Sequence, residues 1–242
     1  MLGASGGLGA ACAQHIGAEG NNLALTYFSD AAAAESAGAL CPAKVSVHQL
    51  DVTSAQGCQG LVDAVIAEHG RINALVYAIG ANIGQPLVAD ITREQWAEVV
   101  NQDLTGFMNI VQPVVKHMRG AGGGSIVHIS SAGLGKTPPH DALSVAPKAA
   151  IDALMRTIAV EEGMHGIRAN SIGVGVIEAG IFKRLEAQGV FDENWKNAVK
   201  AALPLGSFGE ASDIGEAVNF LASNKSKYIT GQCLFVDGGF SA

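Results

Sequence analysis

The chain has 242 residues, 48% of them hydrophobic, which suits an α/β domain with a sizeable core. Its net charge of −7, with no cluster of Lys and Arg, excludes a nucleic-acid-binding face. No apolar run reaches the roughly 18 residues of a membrane span, no signal-peptide pattern is seen, and four scattered cysteines lack metal-site or C-x-x-C spacing, so a reduced, cytoplasmic chain without a metal is expected.

The chain opens LGASGGLGAACAQHIGAEG. Gly3, Gly7 and Gly9 form G-x-x-x-G-x-G ahead of an Ala-rich helix at 10–18. Glycines there let backbone approach a pyrophosphate, and the helix amino terminus offers free N–H groups. A glycine-rich turn with no ligand is the plainer alternative. Only Met1 and Leu2 stand where a strand belongs before this turn. In a doubly wound sheet that strand is central, and its loss would leave neighbouring strands with unpaired backbone groups. Either a few native residues precede Met1, as expected here, or the sheet is repaired in some other way.

Residues 22–27 (NLALTY) read as the next strand. A carboxylate at its end would bind a ribose 2′-OH. That position is Tyr27, so repulsion against a 2′-phosphate is absent and the sequence leans to NADP(H), although no Arg or Lys lies nearby to bind the phosphate. Asp30, three residues on, could still serve NAD. A helix at 31–40 and a strand at 44–50 follow, ending in Asp51-Val52. Asp51 could accept from an adenine amino group, or cap the helix expected at 54–70. A strand at 72–78 runs into Tyr77-Ala78-Ile79-Gly80, and a long helical pattern at 92–118 contains Asp103.

Residues 124–156 are the centre of the chain. An apolar run at 126–129 ends in Ser130-Ser131, a Gly/Pro/His/Asp loop follows, and Lys148 leads a helical pattern with Ile151, Leu154, Met155 and Ile158 on one face. A polar pair at the carboxyl end of a buried strand, facing a lysine on the next helix, is where an open α/β sheet does its chemistry. A strand at 168–172 comes next. Residues 173–205 form an irregular segment with apolar helical patches at 181–185 and 195–202, expected to cover a substrate. A helix at 211–223 and a strand at 231–236 end the chain. Strands and helices alternate throughout, so one doubly wound, mostly parallel sheet in a single domain of residues 1–242 is expected.

Several pieces together resemble the short-chain dehydrogenase/reductase family, close to its 3-oxoacyl-carrier-protein reductase-like branch. They are L-G-A-S-G-G-L-G at 2–9, D-V at 51–52, L-T-G at 104–106, G-S-I-V-H-I-S-S at 124–131, K-A-A at 148–150, I-R-A-N-S at 167–171 and I-T-G-Q-x-L-x-V-D-G-G at 229–239. The resemblance implies a Rossmann-type domain, NAD(P)(H), hydride transfer to or from a carbonyl or alcohol, and a homotetramer or homodimer. It implies cofactor contact from Gly3, Ser5, Gly7, Leu8 and Gly9 on the first turn. Tyr27, Asp51, Val52, Gly80 and Lys148 would complete the cofactor site.

The family's active site uses Asn, Ser, Tyr and Lys. Ser131 matches the serine that hydrogen-bonds the substrate oxygen. Lys148 matches the lysine that binds nicotinamide ribose and lowers the tyrosine pKa. The tyrosine position, four residues before the lysine, is Ser144, and the asparagine position is Asp103. The usual N-N-A-G is replaced by residues 77–80, and the usual P-G by Val174-Gly175. The departures gather around the catalytic centre.

A phenol with a pKa of about 10 can be tuned toward neutrality by a nearby ammonium; a serine hydroxyl cannot. Serine is also shorter by a ring. Asp103 adds a negative charge that would pair with Lys148 and compete with the ribose contact. Pro147 lacks an N–H and is comfortable only in a helix's first turn. A helix starting at or near Ser144, or kinking there, with Ser144 as its N-cap, is therefore expected. His140 and Tyr77 are the remaining candidates for a proton donor, against the plainer readings of an exposed loop histidine and a packed tyrosine. The reading is an oxidoreductase acting on a hydrophobic small molecule. The alternatives are a non-redox enzyme (cyclase, isomerase or dehydratase) or a pseudoenzyme on the same scaffold.

Overall fold

The computed structural model describes residues 1–187, 189 and 191–242, with Ile181 and Arg184 described by backbone alone. In chain order the elements are α1 (Gly7–Ala18), β1 (Leu23–Tyr27), α2 (Ala31–Gly38), β2 (Val45–Gln49), α3 (Ala55–His69) and β3 (Ala74–Tyr77). Then come α4 (Arg93–Val99), a π-helical turn (Val100–Thr105), α5 (Gly106–Gly120), β4 (Gly124–Ser131), α6 (Ala142–Glu162) and β5 (Ile167–Val174). The last are α7 (Ile181–Ala187), α8 (Glu193–Ala202), α9 (Ala211–Ala222) and β6 (Cys233–Val236).

All strand pairs are parallel. β1 pairs with β2, and β3-β4-β5-β6 form a second run. Residues 1–4 lie between the two runs and join them. The Met1 amino group donates to the Ala24 carbonyl and the Thr26 N–H to the Met1 carbonyl. On the other side the Leu2 N–H donates to the Val76 carbonyl (2.9 Å) and the Ala78 N–H to the Leu2 carbonyl (3.2 Å). The spatial order is thus β2, β1, residues 1–4, β3, β4, β5, β6, a doubly wound α/β sheet. The gap expected in the sheet's centre is bridged by these four residues, because backbone groups on both sides find partners there.

Side-chain alternation along the strands explains the two layers. Leu75, Tyr77 and Ile126 point to one face, against Val62, Phe107, Ile110, Val114, Ile151 and Met155 of α3, α5 and α6. Val76, Val127, Ile129 and Ile172 point to the other, against Cys12 of α1 and Ile214 and Val218 of α9. Ala34 and Ala37 of α2 close the β1 end over Leu23 and Leu25. No helix among the described residues is long and apolar enough to cross a membrane.

Two expected elements are built differently. The helical pattern at 92–118 is interrupted: Thr92 and Gln95 form a capping box for α4, and the π turn then places Asp103 inward. Helix α6 begins two residues before Ser144, with Asp141 at its N-cap, and runs on through Pro147. Ser144 is therefore not the cap. The reason is burial: Leu143 is packed against Ala81 and Val99, which pins the first turn earlier than the serine alone implies.

The segment at 173–205 contains α7 and α8, as its apolar patches indicate. Part of it, Gln188 and Val190, lies outside the described residues. Its aromatics pack on one another. Phe191 stacks on Trp195 with centroids 3.9 Å apart, and Phe182 meets Phe208 edge-on. Much of the apolarity that hinted at a hydrophobic substrate is thus consumed in the segment's own small core.

Candidate functional site

The glycine turn is a cradle of backbone. Gly3 has φ +76°, a left-handed conformation that favours glycine. A Cβ on Gly9 would stand 2.0 Å from the Gly3 carbonyl oxygen, and one on Gly3 would stand 2.8 Å from the Ala78 carbonyl oxygen. These contacts draw α1 against the end of β3. The N-cap of α1 is Gly6, with no side chain capping the helix. Among the described residues no acceptor meets the N–H groups of Gly7, Leu8 or Gly9. Free donors, a helix amino terminus and glycine walls fit the phosphates of a dinucleotide. Ser5 and Leu8 are half-buried in this turn. A Cβ on Gly7 would meet the Gly180 backbone nitrogen at 2.9 Å, so the approach to α7 lies against the cradle.

Gly9→Ala is expected to lower stability by about 1–3 kcal/mol, since the clash is with backbone that cannot rotate away. Scanning calorimetry would read this as a fall of several degrees in the melting midpoint. An unchanged midpoint would mean that the turn is looser than its geometry.

From the end of β3 the chain passes Gly80 to Ala81, whose N–H donates to Oδ1 of Asp103 (2.8 Å). The other Asp103 oxygen faces the Lys148 ammonium at 3.8 Å. Lys148 Nζ also donates to the Ser144 hydroxyl at 3.5 Å, one helical turn back along α6. Gly80 borders the same ammonium, since a Cβ there would stand 4.0 Å from Nζ. The structure thus brings Asp103, Ser144, Lys148 and Gly80 together. The pairing of Asp103 with Lys148 is the one anticipated. A π turn delivers Asp103, a geometry that recurs at functional sites.

Asp103 is 2% exposed. Burial raises its pKa above the ordinary value, while Lys148 and the Ala81 N–H pull the other way. Asp141 is half-buried at the N-cap of α6. Burial pushes its carboxyl up too, against the opposing effects of Lys148 and the Ser144 hydroxyl. Ser131 ends β4, where its hydroxyl accepts from the Gly133 N–H (3.1 Å). Asp141 and Ser131 flank Gly133.

The other residues singled out have different surroundings. Tyr77 is fully buried, edge-on to Phe107, and its hydroxyl donates to the main-chain carbonyls of Asp103 and Gln102. Tyr77 is thus a packed core residue, and burial also raises its pKa. His140 has φ 64°, and its Nδ1 lies 3.1 Å from the Gln85 carbonyl oxygen. Val52 buries its side chain in the core, leaving only backbone to meet a ligand. Asp51 accepts from the Thr53 N–H and hydroxyl, which holds its carboxyl below the ordinary value, and Ser54 caps α3. Asp51 nonetheless lines a shallow cleft of about 320 Å³ with Phe28, Gln49 and Leu50. Tyr27 ends β1, and Asp30 is engaged in capping α2 through the Ala33 N–H. The residue that sequence reasoning missed is Asp141. Its only signal was an acid three positions before the serine.

Residues 3–241 match the family described as enoyl-(acyl-carrier-protein) reductase. The chain is 31% identical over 243 residues to the 3-oxoacyl-[acyl-carrier-protein] reductase of Thermotoga maritima, covering 99% of this chain and 95% of that protein. It is equally, 31%, identical over 242 residues to the enzyme of the same description from Staphylococcus epidermidis, covering 99% and 96%. Among solved structures, a short-chain type dehydrogenase/reductase from Mycobacterium ulcerans superposes with a TM-score of 0.93 at 27% identity, over 99% of this chain and 88% of that one. A mutant short-chain dehydrogenase/reductase from Serratia marcescens superposes with a TM-score of 0.89 at 26% identity, over 100% and 96%.

Proposed function

The chain belongs to the short-chain dehydrogenase/reductase family of oxidoreductases, and from that premise we propose that it moves a hydride between NADP(H) and the carbonyl or alcohol carbon of an apolar small molecule, using an active site without a tyrosine. The observation that carries this is the Lys148 ammonium, held between Asp103 and Ser144 and bordered by Gly80. It lies beyond the same strand end, β3, that the glycine turn packs against.

Gly7, Leu8 and Gly9 would hold the pyrophosphate on free N–H groups, with Gly3, whose N–H donates to the Thr26 hydroxyl, and Ser5 shaping the turn. Asp51, with the Val52 backbone, would meet the adenine. When bound, the nicotinamide supplies or accepts the hydride. Lys148 would orient the ribose and Ser131 would polarise the substrate oxygen, with Asp103 holding the Lys148 charge in place. β1 ends at Tyr27 without a carboxylate, and Asp30 is already bonded to α2, which supports NADP(H) over NAD(H). The segment at 173–205 would cover the substrate, within a single domain of residues 1–242. A 3-oxoacyl group, the substrate class in the names of the two bacterial relatives, is the first ketone to try. The reading includes a cytoplasmic homo-oligomer, to be checked by light scattering.

Fluorescence titration with NADPH and NADH tests the proposal, followed by ketone reduction with the unaltered chain and with Ser144→Tyr, Asp103→Asn. The expected result is tighter binding of NADPH and measurable reduction by the unaltered chain. Binding of neither dinucleotide would overturn the reading. Reduction by the double variant alone would point to a non-redox or pseudoenzyme role.

A further inference from the structure

The active site just proposed has no assigned proton donor. Its tyrosine position is Ser144, whose hydroxyl cannot be tuned to the useful range. Tyr77 is sealed in the core. One acidic group beside Ser144 remains without a role.

We propose that Asp141 is the acid/base of this site, giving a proton to the substrate oxygen in the reducing direction and taking it back in the oxidising one. This rests on the oxidoreductase reading above. Three observations on the residue carry it.

Asp141 occupies an N-cap, where an aspartate ordinarily accepts from the N–H groups of the first helical turn. Here the side chain makes no such bond; the backbone carbonyl does the capping, accepting from the N–H groups of Ser144 (3.0 Å) and Val145 (2.9 Å). The carboxylate is thereby free of the usual structural duty. Its Oδ2 and the Ser131 hydroxyl oxygen each lie 3.1 Å from the point where a Cβ on Gly133 would stand. The two oxygens are therefore separated by at most twice that distance, so carboxylate and hydroxyl converge at the carboxyl end of β4. A methyl carbon of Val145 packs beside them, 2.6 Å from the same point. Finally, burial is the largest influence on the carboxyl and raises its pKa, in the direction an acid working at neutral pH needs.

The charged groups around it are few. Lys148, on the same helix, stabilises the carboxylate, as does the Ser144 hydroxyl. Asp103, on the π turn, faces Lys148. From β4 comes the Ser131 hydroxyl, which does not titrate. The neighbouring His140 ring is turned to the Gln85 carbonyl.

The step balances simply. In reduction the substrate carbon gains a hydride with its electron pair, the reduced nicotinamide being the co-reactant. The carbonyl oxygen forms an O–H bond as the O–H bond of the Asp141 carboxyl breaks. The carboxylate then regains a proton from water.

Asp141→Asn and Asp141→Glu, with pH–rate profiles and carboxyl ¹³C NMR, test the proposal. In the unaltered protein, kcat for reduction is expected to fall as pH rises through the pKa of Asp141, above the ordinary aspartate range. Asp141→Asn should lose on the order of 10²–10⁴-fold in kcat and lose that limb, with NADPH affinity and melting midpoint retained. Asp141→Glu should keep the limb. In the dinucleotide-free protein the Asp141 ¹³C signal should titrate high, and higher still in Ser144→Ala. Asn-variant activity within threefold of the unaltered chain, or an Asp141 signal titrating at the ordinary value, overturns the inference while leaving the oxidoreductase reading intact. An unaltered chain that binds no dinucleotide removes that reading, and this inference with it.

Discussion

Lys148→Met is expected to lower kcat/KM for NADPH-dependent ketone reduction by on the order of 10²–10³-fold, the usual consequence of removing a pre-placed electrostatic donor from an active site. Methionine keeps most of the side chain's length, so the loss comes from the charge. The same change removes the cation 3.8 Å from Asp103, which is 2% exposed and keeps only the Ala81 N–H as a partner among the described residues. A buried carboxylate without a neighbouring cation takes up a proton more readily, so its pKa should climb further above the already raised value. The sign for stability follows. A group whose folded pKa is raised contributes stability fully present below its unfolded pKa and lost as pH rises through the folded pKa. The variant should therefore fall behind the unaltered chain as pH rises above the ordinary aspartate value of 3.8. Adding Asp103→Asn should restore the melting midpoint without restoring activity. Steady-state kinetics and calorimetry across pH separate the two effects. Activity within threefold of the unaltered chain would refute the role given to Lys148.

The largest effect on stability is expected from Asp152→Ala. Asp152 is 3% exposed beneath β4 and β5, where its carboxylate gathers three donors. They are the His128 Nδ1–H (3.0 Å), the Ser130 hydroxyl (3.1 Å) and the Ser171 hydroxyl (2.6 Å). These bonds hold the carboxyl below its ordinary value despite burial. The Cys233 thiol is pushed up to about 12 by burial and by this carboxylate, so it stays protonated. Removing the acid leaves buried donors without partners, a loss of about 3–5 kcal/mol. For a chain of this size that is on the order of 10 °C in melting midpoint. Urea unfolding measures it, and a loss below about 1 kcal/mol would contradict the network.

The same network makes stability depend on pH. Burial is the largest influence on His128 and lowers its pKa from 6.5, against the opposing pull of Asp152. The folded state thus holds His128 neutral, donating through Nδ1. Below pH 6.5 the unfolded chain binds the proton more readily, so stability falls as pH drops. Asp152 adds a loss of the same sign below its ordinary value of 3.8. A His128→Asn variant should show a flatter stability curve between pH 6.5 and 5.

Much of the architecture was legible because it is written in local periods. Alternation of apolar residues marks strands, the 3.6-residue period marks helices, and the glycine turn marks their junction. Ser131 and Lys148 could be placed by counting, and the pairing of Asp103 with Lys148 followed from charge. The helix start at Asp141 was not legible. Serine and aspartate both cap well, and the choice was made by Leu143 packing against Ala81 and Val99. Tyr77 looked like a strand-end phenol near the site. Which way it pointed depended on Phe107 and on the carbonyls of the π turn, some 25 residues away in sequence.

The sequence by itself determined the alternating α/β order, the glycine turn and the chain positions of Ser131, Ser144 and Lys148. It did so because backbone preference and apolar period are properties of neighbours along the chain. Only the tertiary structure decided what each polar group does. It seated residues 1–4 between β1 and β3, turned Tyr77 into the core, and left the Asp141 carboxylate without a capping bond beside Ser144. Ionisation and hydrogen bonding depend on burial and on partners brought from distant segments, and those exist only once the sheet and its two helical layers have packed.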